Sequence, residues 1–241
     1  MKLRLMICAA AASTALFAGD NDATSATYAV MNVTNAYTDT VIAVPWVGLD
    51  GNTITISNLV NSTTIASGDK LYMYGADGKW YAYTKNAAGN LEGNTTISSE
   101  GVTITDAAVQ TVARGTGLIL QRASVGGNIL LCGRVDSDST SVSTTLAANG
   151  KTLFANPTAS EVDMNSMNFG AAAGDLIIVP QSNGGSVQYS YKDSKWGRVV
   201  EKEFEDDWGP YIEQVWTEGC VIPVGTGAWY VNGGSAKTIS W

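Results

Sequence analysis

VARGTGLILQR, residues 112–122, and VIPVGTGAWYV, residues 221–231, set the same Gly-Thr-Gly triplet at the head of two apolar stretches, 110 positions apart. Glycines in that density either cradle a phosphate or punctuate a structural module. A phosphate loop leads into a helix whose N-terminus holds the anion. Here each triplet leads into LILQR or AWYV, short runs with strand character. The glycines are therefore read as a tight turn or bulge that lets backbones approach closely.

Outward from the triplets, the two halves repeat each other. TVIAVPW (40–46) matches TLFANPT (152–158) at an offset of 112, and ASGDKLYMY (66–74) matches AAGDLIIVP (172–180) at 106. DGKWYAY (77–83) matches DSKWGRV (193–199) at 116, aligning Trp80 with Trp196. After the triplets come GGNILLCGRV (126–135) and GGSAKTISW (233–241). Five blocks in one order, with drifting offsets, describe a tandem duplication with loop insertions. The blocks are rich in β-branched and aromatic residues, several alternate, and Asp-Gly or Asn-Gly pairs lie between them. No long amphipathic helix is present. The expected fold is all-β, with two tandem, similar β-sandwich or barrel-like domains over 19–135 and 136–241, and a boundary in VDSDSTSVS (135–143).

The order of these motifs resembles a recurrent tandem β module of secreted and surface proteins from Verrucomicrobia-like and Bacteroidetes-like bacteria. The resemblance rests on strands ending in proline (TVIAVPW, TLFANPT), Gly-Asp strands (GDKLYMY, GDLIIVP), the stretch IPVGTGAWYV and the closing LCGRV. The first copy departs from it, with Arg114 and Leu118 where the module carries proline and an aromatic residue. The resemblance implies export and a β fold, and it implies no catalytic residue.

Charge and composition narrow the function. The chain has 22 acidic and 14 basic residues, a formal net charge of −8 and no histidine. Scattered basic residues on an acidic chain argue against nucleic-acid partners. Without histidine, His-based triads and most zinc sites are excluded. MKLRLMICAAAASTALFAG begins with Lys2 and Arg4 and continues apolar to Phe17, the pattern of a signal peptide over residues 1–18, with a second cleavage position near Ala26. The expected location is secreted or cell-surface, with no membrane span in the mature chain. Cys132 and Cys220 then remain, as a disulfide or as two buried thiols.

Three features carry candidate chemistry. EKEFEDDWGPY (201–211) is the densest acidic stretch and offers Glu205, Asp206 and Asp207 to Ca2+, but without the spacing of a known calcium loop; a solvated loop is the preferred reading. Asp69 and Asp175 follow glycine at strand entry and are expected to bond backbone amides. Tyr72, Trp80, Tyr83 and Trp196 are the candidate ligand-facing aromatics, set against a role in core packing. No catalytic residue, metal site or cofactor is expected. The leading expectation is an exported, non-enzymatic structural protein that self-assembles into a filament, layer or adhesive assembly as a homo-oligomer through β edges. The edges expected to be open are ATYAVMNVT (26–34) and KTISW (237–241). The alternative is a carbohydrate-binding module that meets polysaccharide with its Tyr/Trp hairpins.

Overall fold

The computed structural model describes residues 27–34, 39–43, 54–59, 66–74, 80–87, 91–97, 111–123, 128–135, 142–158, 160–181, 185–206 and 208–241. The signal segment, Pro45 and most of the expected boundary at 135–143 lie outside them. The protein is nearly all β. Its helical segments, among the described residues, are two single turns, at Ile56–Leu59 (α1) and Met164–Ser166. No helix among these residues is long and apolar enough to cross a membrane.

The first half runs β1 (Thr27–Thr34), β2 (Asp39–Ala43), β3 (Ile54–Thr55), β4 (Lys70–Tyr74), β5 (Trp80–Lys85), β6 (Leu91–Ile97), β7 (Thr111–Val112), β8 (Gly117–Gln121) and β9 (Asn128–Val135). The second runs β10 (Ser143–Leu146), β11 (Lys151–Ala155), β12 (Val162–Asp163), β13 (Leu176–Pro180), β14 (Ser186–Lys192), β15 (Lys195–Asp206), β16 (Gly209–Glu218), β17 (Val221–Ile222), β18 (Gly227–Val231) and β19 (Lys237–Ser240). The main sheets have the orders β2-β8-β4-β5-β6 and β11-β18-β13-β14-β15-β16. Two-stranded ladders β1-β9 and β3-β7 flank the first, and β10-β19 and β12-β17 flank the second.

Alternation in the sequence assigns the faces. In KLYMY, Leu71 and Met73 point inward and Tyr72 outward; in LIIVP, Ile177 and Val179 point inward and Ile178 outward. The same period buries Leu118 and Leu120, and likewise Ala228 and Tyr230. At the strand entries, Gly68 and Gly174 adopt φ of +90° and +95°, which glycine reaches without steric cost. The carboxylates that follow do what their position suggests. Asp69 accepts from the amides of Ala66 (2.8 Å) and Ala123 (2.7 Å); Asp175 accepts from those of Ala172 (2.8 Å) and Gly233 (3.1 Å).

Backbone bonds also give the register between the halves, and one block shifts. Lys85 donates to Asp69 O, and Tyr191 donates to Asp175 O, both pairs at an offset of 106. Trp80 faces Tyr74 on the strand next to β4, whereas Trp196 faces Tyr191, one strand further along its sheet. Trp80 therefore corresponds in position to Ser186, not to Trp196. The shared Asp-x-Lys-Trp is a likeness between two different hairpins.

The two expected edge strands are each paired in a ladder. β1 pairs along its full length with β9, from Thr27↔Val135 to Thr34↔Asn128, and β19 pairs with β10. The acidic stretch is not a loop. It is the outer part of a long hairpin, β15–β16, in register from Gly197↔Glu218 to Asp206↔Gly209.

Candidate functional site

The Gly-Thr-Gly triplets meet where the halves touch. Ala155 donates its amide to Gly115 O (2.9 Å), and Ala43 donates to Gly225 O (3.1 Å), while isolated bridges join Thr116 to Phe154 and Ile42 to Thr226. A Cβ added at Gly117 would fall 2.7 Å from Leu153 Cγ, and one at Gly227 would fall 2.5 Å from Val41 Cγ1. Both distances are too short for real carbon atoms. Glycine is required here because each strand lies against the other half, Gly117 against Leu153 and the Phe154 carbonyl, and Gly227 against Val41.

Beside this seam the outward faces of the two main sheets leave a cleft of about 730 Å3. The first half contributes Val41, Tyr72, Trp80, Ile119 and Gln121. The second contributes Ile178, Pro180, Gln181, Ser186 and Trp229. Trp80 and Trp229 meet edge to face, with ring centroids 5.9 Å apart, and form a corner. The Tyr72 hydroxyl and Gln121 Oε1 are 3.2 Å apart, donor to acceptor. Among the described residues, no charged side chain lines the cleft. A second hollow of about 560 Å3 borders the seam, with Arg114, Thr116, Thr144 and Thr152 among its walls.

Of the four aromatics singled out in the sequence, two reach the cleft. Tyr72 and Trp80 are half-buried and line it. Tyr83 and Trp196 are each 1% exposed and belong to the core, so they cannot face a ligand. Trp196 packs against Phe169, Tyr191 and Tyr230. Its amide donates to Asn165 Oδ1 at 2.6 Å, which ties the start of β15 to the 3-10 turn. Burial, with help from Tyr81, pushes the Tyr83 hydroxyl up to about 12. Trp229 was missed. The signal was available: in GAWYV, with Ala228 and Tyr230 inward, Trp229 must point to the opposite face.

The remaining candidates form no cluster: no group of three or more His, Cys, Asp or Glu side chains converges among the described residues. Glu205 and Asp206 are exposed on the hairpin, and Asp207 lies outside the described residues. Cys220 is a buried free thiol, pushed up to about 12 by burial and by the Asp163 charge. A thiol held protonated is a poor nucleophile.

The hairpin β15–β16 is the other conspicuous feature. Five of the six exposed large hydrophobic residues described lie on it: Val199, Phe204, Trp208, Tyr211 and Ile212. Trp208, at the tip, is 95% exposed. Phe204 and Tyr211 stack across the strands at 5.7 Å, and Lys202 faces Glu213. β16 is the last strand of its sheet.

No family model, no curated protein and no solved structure matches this chain.

Proposed function

We propose that this chain is an exported, non-enzymatic structural protein, made of two copies of one β module over 19–135 and 136–241 behind a signal at 1–18, and that it assembles with itself through the β15–β16 arm. The observation that carries this reading is the concentration of exposed apolar side chains on one projecting hairpin whose outer strand ends a sheet. Exposed large apolar side chains gathered on one element, on both of its faces, are a feature of contact sites. An outer strand also offers a row of backbone donors and acceptors to another chain. The two-copy construction is supported by the shared strand order and by the paired seam contacts at offsets of 110 and 112.

Two arms that meet make a closed, isologous pair, whereas an arm that docks on another surface of its neighbour makes a heterologous contact, which gives a ring or an open fibre. Sedimentation velocity of the purified chain tests the reading. Species larger than the monomer should form with rising concentration and disappear in the double variant Trp208→Ser, Ile212→Ser. A chain that stays monomeric at every concentration would refute it.

A further inference from the structure

We propose that the cleft between Trp80 and Trp229 is a binding site for a neutral saccharide. Its described wall carries no charged side chain, although the chain as a whole is acidic. A charged ligand seated there would lose water without gaining a counter-charge, which selects neutral ligands. The volume of about 730 Å3 lies within the usual range for small-ligand pockets, about 300–1,000 Å3.

The mixture of groups selects among neutral ligands. Trp80 and Trp229 offer apolar ring surface for the C–H face of a pyranose, and their edge-to-face corner suits a single sugar ring better than a long flat chain. Around them stand the Tyr72 hydroxyl, the Gln121 and Gln181 amides and the Ser186 hydroxyl. Each of these donates as well as accepts, which matches the hydroxyl groups of a sugar. A pure hydrocarbon would offer these groups no hydrogen bond in place of the water it displaced. An extended peptide that binds by strand addition needs a sheet edge. Here Tyr72, Ile119, Ile178 and Trp229 are face positions on strands with a neighbour on both sides.

The site does not depend on the arm, so its test is separate from that of assembly. Indole N–H resonances of Trp80 and Trp229 are followed by NMR while maltohexaose, cellohexaose, xylohexaose or the N-acetylglucosamine hexamer is added to the chain carrying Trp208→Ser and Ile212→Ser. At least one should shift both resonances saturably, with affinity weakened about tenfold or more in Trp229→Ala and in Gln121→Ala. Should Trp229→Ala not fold, Trp229→Phe and Gln121→Ala give the same reading. The proposal is overturned if none of the four sugars moves either resonance up to about 10 mM. Binding that survives in both cleft variants overturns it too, as does a cleft that takes decaproline or an anionic oligosaccharide in place of the neutral sugars.

Discussion

Ala43 donates its backbone N–H to the carbonyl of Gly225 at 3.1 Å, across the seam between the two halves of the chain. Ala155 makes the reciprocal bond to Gly115, so each Gly-Thr-Gly turn is clasped by the β2-type strand of the opposite half. The glycines that follow the turns are consequently among the tightest points of the described residues. Gly117→Ala and Gly227→Ala should each destabilise the protein by about 1–3 kcal/mol through overpacking. Gly233→Ala, whose added Cβ would meet nothing closer than 4.0 Å, should change stability by less than about 0.5 kcal/mol. Urea midpoints of the three variants check this contrast.

Asp175 makes stability depend on pH. Burial alone would raise its pKa, but the bonds from Lys237, Tyr230 and the amides of Ala172 and Gly233 outweigh burial and hold the carboxyl below the ordinary range. A depressed folded-state pKa stabilises above the unfolded value, about 3.9, and that stabilisation is lost as pH falls through the folded value. Stability should therefore decline below about pH 4, with a flatter acid limb in Asp175→Asn. At pH 7 that variant leaves Lys237 without its buried carboxylate partner (side chains 8% and 1% exposed) and should lose about 3 kcal/mol or more. Thermal melts between pH 2 and pH 7 read both effects.

Tyr83 tests its reassignment from ligand contact to core. Its hydroxyl is buried with no hydrogen-bond partner among the described residues. Tyr83→Phe removes an unsatisfied group at nearly constant shape and should raise stability by about 1 kcal/mol. Sugar binding in the cleft should be unchanged, whereas a ring that faced the ligand would weaken it.

The strand pattern, the turn glycines and the roles of Asp69 and Asp175 were legible because each depends on a few neighbouring residues. Placement of Trp196 was not. A Lys-Trp turn reads alike in any hairpin, and only the long-range bonds of Lys85 and Tyr191 show which hairpin it closes. EKEFEDDWGPY concealed a ladder for a physical reason. A two-stranded arm with no core beneath it needs no apolar alternation, so charge on both faces hides its period of two. The cleft was half legible. Tyr72 and Trp80 stand out locally, but its other wall is assembled by residues of the second half, from about 100 positions away onward.

The arm's charge would give the proposed assembly a salt dependence, if two arms meet in it. Glu201, Glu203 and Glu205 lie on one face of β15, and Glu213 and Glu218 lie on β16, outnumbering Lys195, Arg198 and Lys202. Copies that meet through their arms bring like charges together, and screening relieves that repulsion. Self-association measured by light scattering should thus strengthen from about 0.01 M to about 0.15 M salt, as the screening length falls from about 30 Å to about 8 Å. Arms that met a basic surface would show the opposite trend.

Amide hydrogen exchange along β16, Gly209–Glu218, measured in dilute and in concentrated protein, tests the central claim most directly. If copies join through the arm, the β16 amides that no strand pairs in the monomer should exchange more slowly as concentration rises, while amides of the central strand β18 stay unchanged. Equal β16 exchange rates at all concentrations, in a solution shown to contain larger species, would place the contact elsewhere and contradict the account.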